Sequence, residues 1–222
     1  MIPVGIVLWI QYKWALDYKE SLYAVSRMLA QLLIIGYFLG SIFNADKAWI
    51  IVLILSVMLV SSSWIALRSV KRYRRKLYLY VLFSLSIGGV ITLLIVTQGV
   101  LEFEPWYKPQ YMVPLAGMIF SNTMNSVSLA AERFFEEINR DMKIEYARNT
   151  AFRAAMIPIT NALFAVGLVS LPGMMTGQIL SGIDPFIAVR YQIMVMAMIF
   201  GAGGLSSALF LYLVSKEEPE SS

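Results

Sequence analysis

The chain of 222 residues contains no cysteine and no histidine. Without cysteine it cannot form a disulfide framework, a redox motif or a thiolate metal site. Without histidine it lacks a Ser-His-Asp triad, an imidazole ligand and the one side chain that ordinarily titrates near neutrality. Charged residues are also scarce, at 14%, whereas soluble domains contain about 25%. These absences exclude most thiol and imidazole chemistry and leave a chain that is 59% hydrophobic.

The apolar residues are clustered in long runs that short polar stretches separate. A helix needs about 20 predominantly apolar residues to cross the roughly 30 Å hydrocarbon core of a bilayer. We therefore predict an all-α, polytopic transmembrane helical bundle that forms a single domain over residues 1–222. The bundle has about seven spans, at residues 2–16, 22–43, 48–67, 77–98, 111–131, 154–175 and 191–215.

The first apolar run is short, and a signal peptide is its rival interpretation. No basic residue precedes the run and no small-residue cleavage site follows it. Trp9, Tyr12 and Trp14 suit a helix that is retained near a membrane interface. We therefore predict a short first helix.

Basic residues predict the orientation of the chain, because loops rich in lysine and arginine stay in the cytoplasm. The connection after the third span contains six basic residues and no acid: Arg68, Lys71, Arg72, Arg74, Arg75 and Lys76. The connections one span away, 44–47 and 99–110, carry few basic residues. The pattern predicts an outside N-terminus and a cytoplasmic tail, residues 216–222. It also explains the net charge of +4 by topology, without a nucleic-acid partner.

Uncharged polar side chains concentrate in the fifth and sixth predicted spans. Gly117, Ser121 and Asn125 recur every four residues and therefore share one face of a helix. Two interpretations stay open, namely packing and hydrogen bonds between helices, or the polar lining of a substrate path. The residues that we assign to a candidate path in these two runs are Asn122, Asn125, Ser126 and Asn161.

The sixth predicted span contains Pro172 followed by Gly173, a pair that would break a helix at membrane depth. Freed backbone groups are tolerated there when they are buried in protein or line a cavity, and broken helices often form transporter sites. Ser170, Met174 and Met175 lie beside the break and join the candidate path. Because thioether sulfur is a soft ligand, Met174 and Met175 are the best candidate pair for a metal. Without cysteine or histidine such a site would be weak and transient.

Residues 132–153 form a predicted cytoplasmic segment with five acidic and five basic residues. Phe135, Ile138, Met142 and Tyr146 recur at helical spacing, which predicts an apolar stripe along a charged helix. Such a helix either lies on the membrane surface or docks into a partner. Its balanced charge favours a protein partner, since helices that anchor to membranes are mainly basic.

The sequence contains no phosphate loop of the form Gly-x-x-x-x-Gly-Lys-Ser/Thr and no plausible pair of nucleophile and base. We therefore expect no enzymatic activity and no cofactor bound by this chain. If ATP drives transport, another polypeptide must bind and hydrolyse it. The centres of the predicted spans also lack an acidic residue, which counts against a proton-coupled carrier.

Several strings are similar to one known family: residues 27–37 (RMLAQLLIIGY), 114–118 (PLAGM), 153–158 (RAAMIP), 166–175 (VGLVSLPGMM), 182–185 (GIDP) and 191–195 (YQIMV). They resemble the FetB-type ABC transporter permeases, which are implicated in bacterial iron export and related to plant aluminium-tolerance permeases. The resemblance implies a multi-pass subunit of a prokaryotic cell membrane, a homodimer or higher assembly, and a separate ATP-binding subunit that uses the ATP. It also implies export of iron or another metal. Gln31, in the first string, joins the candidate path.

The chain departs from that family in its cytoplasmic segment, which is shorter than the family's and has no glycine. Either the ATP-binding subunit docks on the predicted amphipathic helix directly, or its coupling is altered. Two alternatives from other classes stay open. The chain could be a non-transporting membrane scaffold, or a secondary carrier of an uncharged or organic solute. Membrane lipid is an expected partner of the chain under all of these hypotheses.

Overall fold

The computed structural model describes residues 2–43 and 47–217, and these residues form helices without a β-strand, apart from one isolated bridge between Val166 and Ser170. The all-α class predicted from the sequence is confirmed for them. The predicted connection 44–47 and the tail 216–222 fall largely outside the described residues. We number the helices α1 (Ile2–Lys13), α2 (Tyr18–Phe43), α3 (Ala48–Ala66), α4 (Lys71–Val100), α5 (Pro109–Ile138), α6 (Ile144–Ala165), α7 (Gly173–Leu180) and α8 (Pro185–Glu217).

The chain divides into two compact units, Met1–Asp46 and Lys47–Ser222. The first contains α1 and α2, which pack against each other. Asp17 stabilises the start of α2, because its Oδ1 accepts a hydrogen bond of 3.1 Å from the N–H of Glu20. With 12 residues, α1 is about 18 Å long, shorter than the roughly 30 Å hydrocarbon core. The predicted short first helix is present, and its crossing of the membrane stays a prediction.

Among the described residues, four helical segments are long and apolar enough to cross a membrane: Tyr18–Gly40 within α2, and the whole of α3, α4 and α8. They correspond to the second, third, fourth and seventh predicted spans. The helices α5 and α6 are also long, with 30 and 22 residues, and they carry charged residues near the turn that joins them. The count of seven spans and the orientation of the termini stay predictions.

The second unit is organised around α5 and α8. Helix α5 packs against α3, α4, α6 and α8, and α8 also packs against α4, α6 and α7. Helices in lipid gain little from the hydrophobic effect between them, so they approach through small residues. In α6, Ala147, Ala151 and Ala155 recur every four residues and are fully buried. The bundle contains two clusters of buried apolar side chains, one toward each end.

Helix α4 contains two π-helical segments, Ser86–Val90 and Ile95–Val100, between its α-helical turns. In the first segment Gly88 is buried against α8. A Cβ atom on Gly88 would lie 2.1 Å from Oγ of Ser206 and 2.9 Å from the backbone nitrogen of that serine. The approach of α4 to α8 at this point therefore requires glycine.

Segments that were predicted to be cytoplasmic meet at one end of the bundle, which we call the basic end. Lys76 Nζ, near the start of α4, lies 3.5 Å from Glu217 Oε1 at the end of α8. Tyr73 stacks on Phe135, near the end of α5, with ring centroids 4.3 Å apart. The start of α4, the end of α5 and the end of α8 therefore lie at the same end of the unit. The predicted orientation requires this, because it assigns these three segments to one side of the membrane.

The sixth predicted span, 154–175, is interrupted, as its Pro172–Gly173 pair predicts, but the helix ends several residues before that pair. Helix α6 ends at Ala165 and α7 begins at Gly173, with a loop between them. The helix stops before Pro172 because Val166 is already extended, with a ψ of 130°, and Gly167 then adopts a left-handed φ of +83° that turns the chain. Pro172 instead directly precedes α7, where a missing backbone N–H breaks no helical hydrogen bond.

The predicted continuous helix over residues 132–153 is wrong, because the chain turns back within it. Helix α5 ends inside the segment and α6 begins after a short turn. Asp141 adopts a left-handed φ of +57°, and the N–H of Met142 donates a 3.2 Å hydrogen bond to the carbonyl of Glu137. These contacts close the end of α5 without the glycine or proline that usually signals such a stop.

We expect Gly88→Ala to destabilise the second unit. The new Cβ would overlap Ser206, whose backbone is part of the obstacle, at a cost of about 1–3 kcal/mol. The measurement is the apparent Tm of the purified chain, which should fall by several degrees. Gly201→Ala is the matched control on α8, because a Cβ there meets nothing within 4 Å. Equal Tm values for the two variants would contradict the close contact.

Candidate functional site

Two of the polar residues assigned to the path on α5 have defined contacts in the structure. Asn122 is half-buried, and its Nδ2 donates a 2.8 Å hydrogen bond to the carbonyl of Met118 one turn earlier. Ser126 is buried, and its Oγ lies 3.0 Å from the position that a Cβ on Gly203 would occupy. Ser126 therefore packs against α8, whereas the hydrogen bond of Asn122 stays within α5, and the assignment of both residues to a path stays a prediction.

Three other polar residues are exposed, and we call them the polar trio: Ser121, Asn125 and Asn161. Ser121 and Asn125 are one turn apart on α5, and Asn161 lies on α6. These two helices form a hairpin. The number of residues from the start of α6 to Asn161 equals the number from Ser121 to the end of α5. The trio therefore lies near one level of the bundle, far from the charged turn.

Residues 166–172 form a tight loop between α6 and α7. The N–H of Gly167 donates a 3.0 Å hydrogen bond to the carbonyl of Ser170, whose own N–H donates one of 3.2 Å to the carbonyl of Ala165. These bonds satisfy backbone groups that the end of α6 leaves free. The side chain of Ser170, assigned to the path from sequence, is exposed on this loop.

A pocket of about 410 Å³ lies between this loop and helices α6, α7 and α8, and we call it the α6–α8 pocket. Its lining is apolar except for one amide, and consists of Leu163, Val166, Gly167, Met175, Val189, Gln192, Ile193, Met196 and Ala197. Met175 is the path residue that lines it. Met174 packs instead against the apolar cluster remote from the basic end. The two methionines of the predicted metal pair thus do not both line the pocket.

Gln192 is the polar group of this pocket that sequence reasoning did not assign to a site. It is only 6% exposed, and its Oε1 has no hydrogen-bond partner in the part of the chain that the structure describes. The available signal was an amide inside the last apolar run, because a buried amide requires a partner. Gln31 lies on α2 in the first unit and is described with that unit alone.

An ionic network braces the turn between α5 and α6. Glu137 is 2% exposed, and its Oε1 lies 2.5 Å from Arg133 Nη2 and 3.8 Å from Arg140 Nη1. Glu136 contacts the same two arginines at 3.0 and 2.6 Å. Because a buried carboxylate is stable only with such partners, the network holds the end of α5 in a fixed position relative to the turn.

The four residues of the predicted coupling stripe have different environments. Phe135 is buried against Tyr73, and Ile138 is half-buried against the core. Met142 and Tyr146 are 44% and 52% exposed. Since α5 ends between the two pairs, the first pair belongs to the core and the second is available to a partner.

A groove of about 280 Å³ opens between α6 and α8, and we call it the basic groove. Its lining combines a cation, an amide and aromatic rings, in Arg148, Asn149, Phe152, Ala208, Leu211 and Tyr212. Lys216 adds a second cation, with Nζ 4.5 Å from the centroid of the Tyr212 ring. The groove and the exposed turn together offer positive charge and aromatic surface, which suit a partner with acidic and apolar side chains.

Strong metal ligands do not cluster in the described part of the second unit, residues 47–217. No group of three or more acidic side chains comes together among the residues that the structure describes. The polar trio offers amide and hydroxyl oxygens, and the α6–α8 pocket offers one amide and two thioethers. Donors of this kind suit a brief contact with a cation rather than tight retention of one.

Comparison with known proteins finds relatives over most of the chain. Residues 1–218 match the model of the Uncharacterised protein family (UPF0014). The UPF0014 membrane protein slr1647 of Synechocystis sp. is 37% identical over 203 residues, which cover 85% of this chain and 78% of the relative. The Probable iron export permease protein FetB of Escherichia coli (strain K12) is 33% identical over 233 residues, covering 98% and 88%. The Protein ALUMINUM SENSITIVE 3 of Arabidopsis thaliana is 31% identical over 209 residues, covering 87% and 75%.

No solved structure matches the chain with significant similarity. The resemblance to FetB-type permeases that the sequence strings indicated is confirmed by the family match and by the FetB relative. The apolar helices and the membrane relatives also show that this is a membrane protein. The chain therefore belongs to the UPF0014 family of membrane proteins.

Proposed function

We propose that the chain is the permease subunit of an ABC transporter that exports iron or another metal across a prokaryotic cell membrane. A separate ATP-binding subunit supplies the energy. The observation that carries the proposal is the similarity to the probable iron export permease FetB over 98% of this chain. Helices long and apolar enough to cross a membrane support a permease rather than a peripheral protein.

The polar trio supports a substrate path that two copies of the chain enclose. Each polar group left without a partner in lipid costs several kcal/mol. Asn125 and Asn161 are exposed although they lie far from the charged turn of the hairpin. A second copy facing them across a water-filled path would satisfy both amides. The functional unit is therefore a homodimer or a higher assembly, with α5 and α6 along the path.

The available donors fit a conduit for a metal ion. An ion that passes through a membrane must find ligands that replace part of its hydration shell yet release it again. Amide and hydroxyl oxygens of the trio meet that requirement, whereas thiolate and imidazole ligands are absent from the sequence. Direction and metal identity come from the name of the FetB relative.

The basic end is the docking surface for the ATP-binding subunit. Met142 and Tyr146 are exposed at the turn, and the basic groove lies between α6 and α8 at this end. The network around Glu137 joins the turn rigidly to α5, so a movement of the turn is carried into the helix that bears Asn125. The proposed coupling between the two subunits therefore uses this turn and requires no longer cytoplasmic helix.

The decisive experiment co-expresses the chain with an ATP-binding subunit from the same genome and reconstitutes the purified pair in liposomes. We expect Fe²⁺ or another metal ion to stimulate ATP hydrolysis several-fold, because transport and hydrolysis are coupled. Stimulation by an organic solute, with none by any metal, would overturn the substrate class. A chain that binds no ATP-binding subunit would contradict the ABC assignment and leave the scaffold and the secondary carrier.

We expect the double variant Met142→Ala, Tyr146→Ala to weaken binding of the ATP-binding subunit by about thirtyfold, because two exposed anchors of an interface each contribute about 1 kcal/mol. Its Tm should not change, since both side chains are exposed. Co-purification and titration of the two subunits measure the effect. The control pair Leu180→Ala, Phe186→Ala changes even more exposed residues, at 83% and 79%, that are remote from the basic end. Phe135→Ala is unsuitable, because it would disrupt the core.

We expect Asn125→Leu and Asn161→Leu each to slow metal export about fivefold, because each variant loses one hydrogen bond of about 1 kcal/mol to the water shell of the passing ion. Export is measured as metal flux across liposomes that contain the reconstituted pair. Gln98→Leu is the matched control, because Gln98 is an exposed amide on α4 and lies outside the hairpin. An equal loss of flux in all three variants would remove the trio from the path.

A further inference from the structure

The connection between α3 and α4 carries positive charge that the described chain does not neutralise. Five of its basic side chains are exposed: Arg68, Lys71, Arg72, Arg75 and Lys76. Two of them, Arg72 and Arg75, form no ion pair with an acid within residues 2–43 and 47–217. Because like charges in one short segment repel each other, an anion from outside the chain would stabilise this segment.

Arg74 fixes the start of α4 against the end of α3. Its Cζ lies 3.6 Å from the centroid of the Trp64 ring, and its Nη2 donates a hydrogen bond of 2.6 Å to the carbonyl of Trp64. Trp64 is itself 46% exposed near the end of an apolar helix, and tryptophan in such a position marks the level of the lipid headgroups. The contact therefore holds the basic connection at headgroup depth.

The exposed cations continue into an exposed apolar face of α4. Arg75, Leu79 and Phe83 recur every four residues, so they share one side of the helix. Leu79 and Phe83 are 70% and 52% exposed. Phe83 lies about 12 Å along the helix axis from Arg75, whereas half of the hydrocarbon core is about 15 Å thick. Retention of basic loops in the cytoplasm requires the charge, but it does not require this alignment with an apolar face.

We propose that this side of α4, which we call the lipid face (Arg72, Arg75, Leu79 and Phe83), binds an anionic phospholipid. The two arginines contact its phosphate, and the two apolar side chains contact an acyl chain. Clusters of basic residues beside a membrane helix attract anionic lipids, and a guanidinium can donate two parallel hydrogen bonds to one phosphate.

A phospholipid fits the whole face better than a protein does. A soluble acidic partner would reach the arginines but not Leu79 and Phe83, which lie one and two turns further into the apolar part of α4. The site goes beyond the proposed function, because it involves this chain and one lipid and requires neither ATP nor a metal.

Native mass spectrometry of the full chain in dodecyl maltoside tests the site. The chain is titrated with phosphatidylglycerol, and separately with phosphatidylcholine of the same acyl chains, which carries a phosphate but no net charge. We expect the first phosphatidylglycerol to bind with a Kd about thirtyfold lower, since each of two cations near the headgroup contributes about fivefold. Glycerophosphoglycerol, the same headgroup without acyl chains, should not displace the bound lipid.

The double variant Arg72→Gln, Arg75→Gln should lose most of this preference. Its Tm without added lipid should not change, because both side chains are exposed. Arg72→Lys, Arg75→Lys retains the charge and should retain most of the preference. The matched control Lys108→Gln, Arg190→Gln removes the same charge at the starts of α5 and α8, away from the basic end, and should bind both lipids as the unmodified chain does.

The double variant Leu79→Ala, Phe83→Ala tests the apolar half of the face. It should weaken binding of both lipids by a similar factor and keep the preference for phosphatidylglycerol, because the acyl chains are the same. Unchanged binding of both lipids to this variant would overturn the role of the apolar face, and displacement by glycerophosphoglycerol would identify a site for soluble anions instead.

Equal affinity of the unmodified chain for the two lipids, or an equal loss of preference in the charge control, would overturn the proposal. If Arg72→Gln, Arg75→Gln keeps its lipid preference but no longer binds the ATP-binding subunit, the arginines belong to that interface and the proposal is wrong. The lipid titrations contain neither ATP nor metal, so this proposal and the proposed function fail separately.

Discussion

The close contact of α8 with α4 and α5 is the constraint on which the second unit depends. Gly88 leaves room for Ser206, and Gly203 leaves room for Ser126, so three helix backbones approach where larger side chains would hold them apart. In lipid this tight packing must supply stability that apolar burial supplies in water. Small residues therefore occupy the centre, and bulky apolar side chains such as Ile193 and Leu205 are exposed.

The α6–α8 pocket exists where that tight packing ends. Helix α8 has 33 residues and α6 has 22, so the first turns of α8 extend beyond the end of α6. The loop after Ala165 returns over this gap without filling it. Helix length and loop geometry together therefore create the cavity.

Apolar periodicity and basic connections predicted the long helices and the common end of the predicted cytoplasmic segments, because both depend on composition over many residues. Helix stops were missed where local hydrogen bonds decide them, at Gly167 and at Asp141. Phe135 was assigned to a partner because its periodicity is the same for a core stripe and a docking stripe. Gln192 was not assigned, since burial and the absence of a partner are tertiary properties that a single sequence does not display.

The polar trio and the α6–α8 pocket differ in chemistry, and this difference decides which of them can serve a cation. A cation requires water or oxygen ligands, which the exposed amides permit and the apolar pocket does not. The last turns of α6 nevertheless carry both Asn161 and Leu163, one in the trio and one in the pocket lining. The same stretch of helix therefore presents an amide in the trio and an apolar side chain in the pocket, and the two surfaces are separated by the helix itself rather than by distance along the chain.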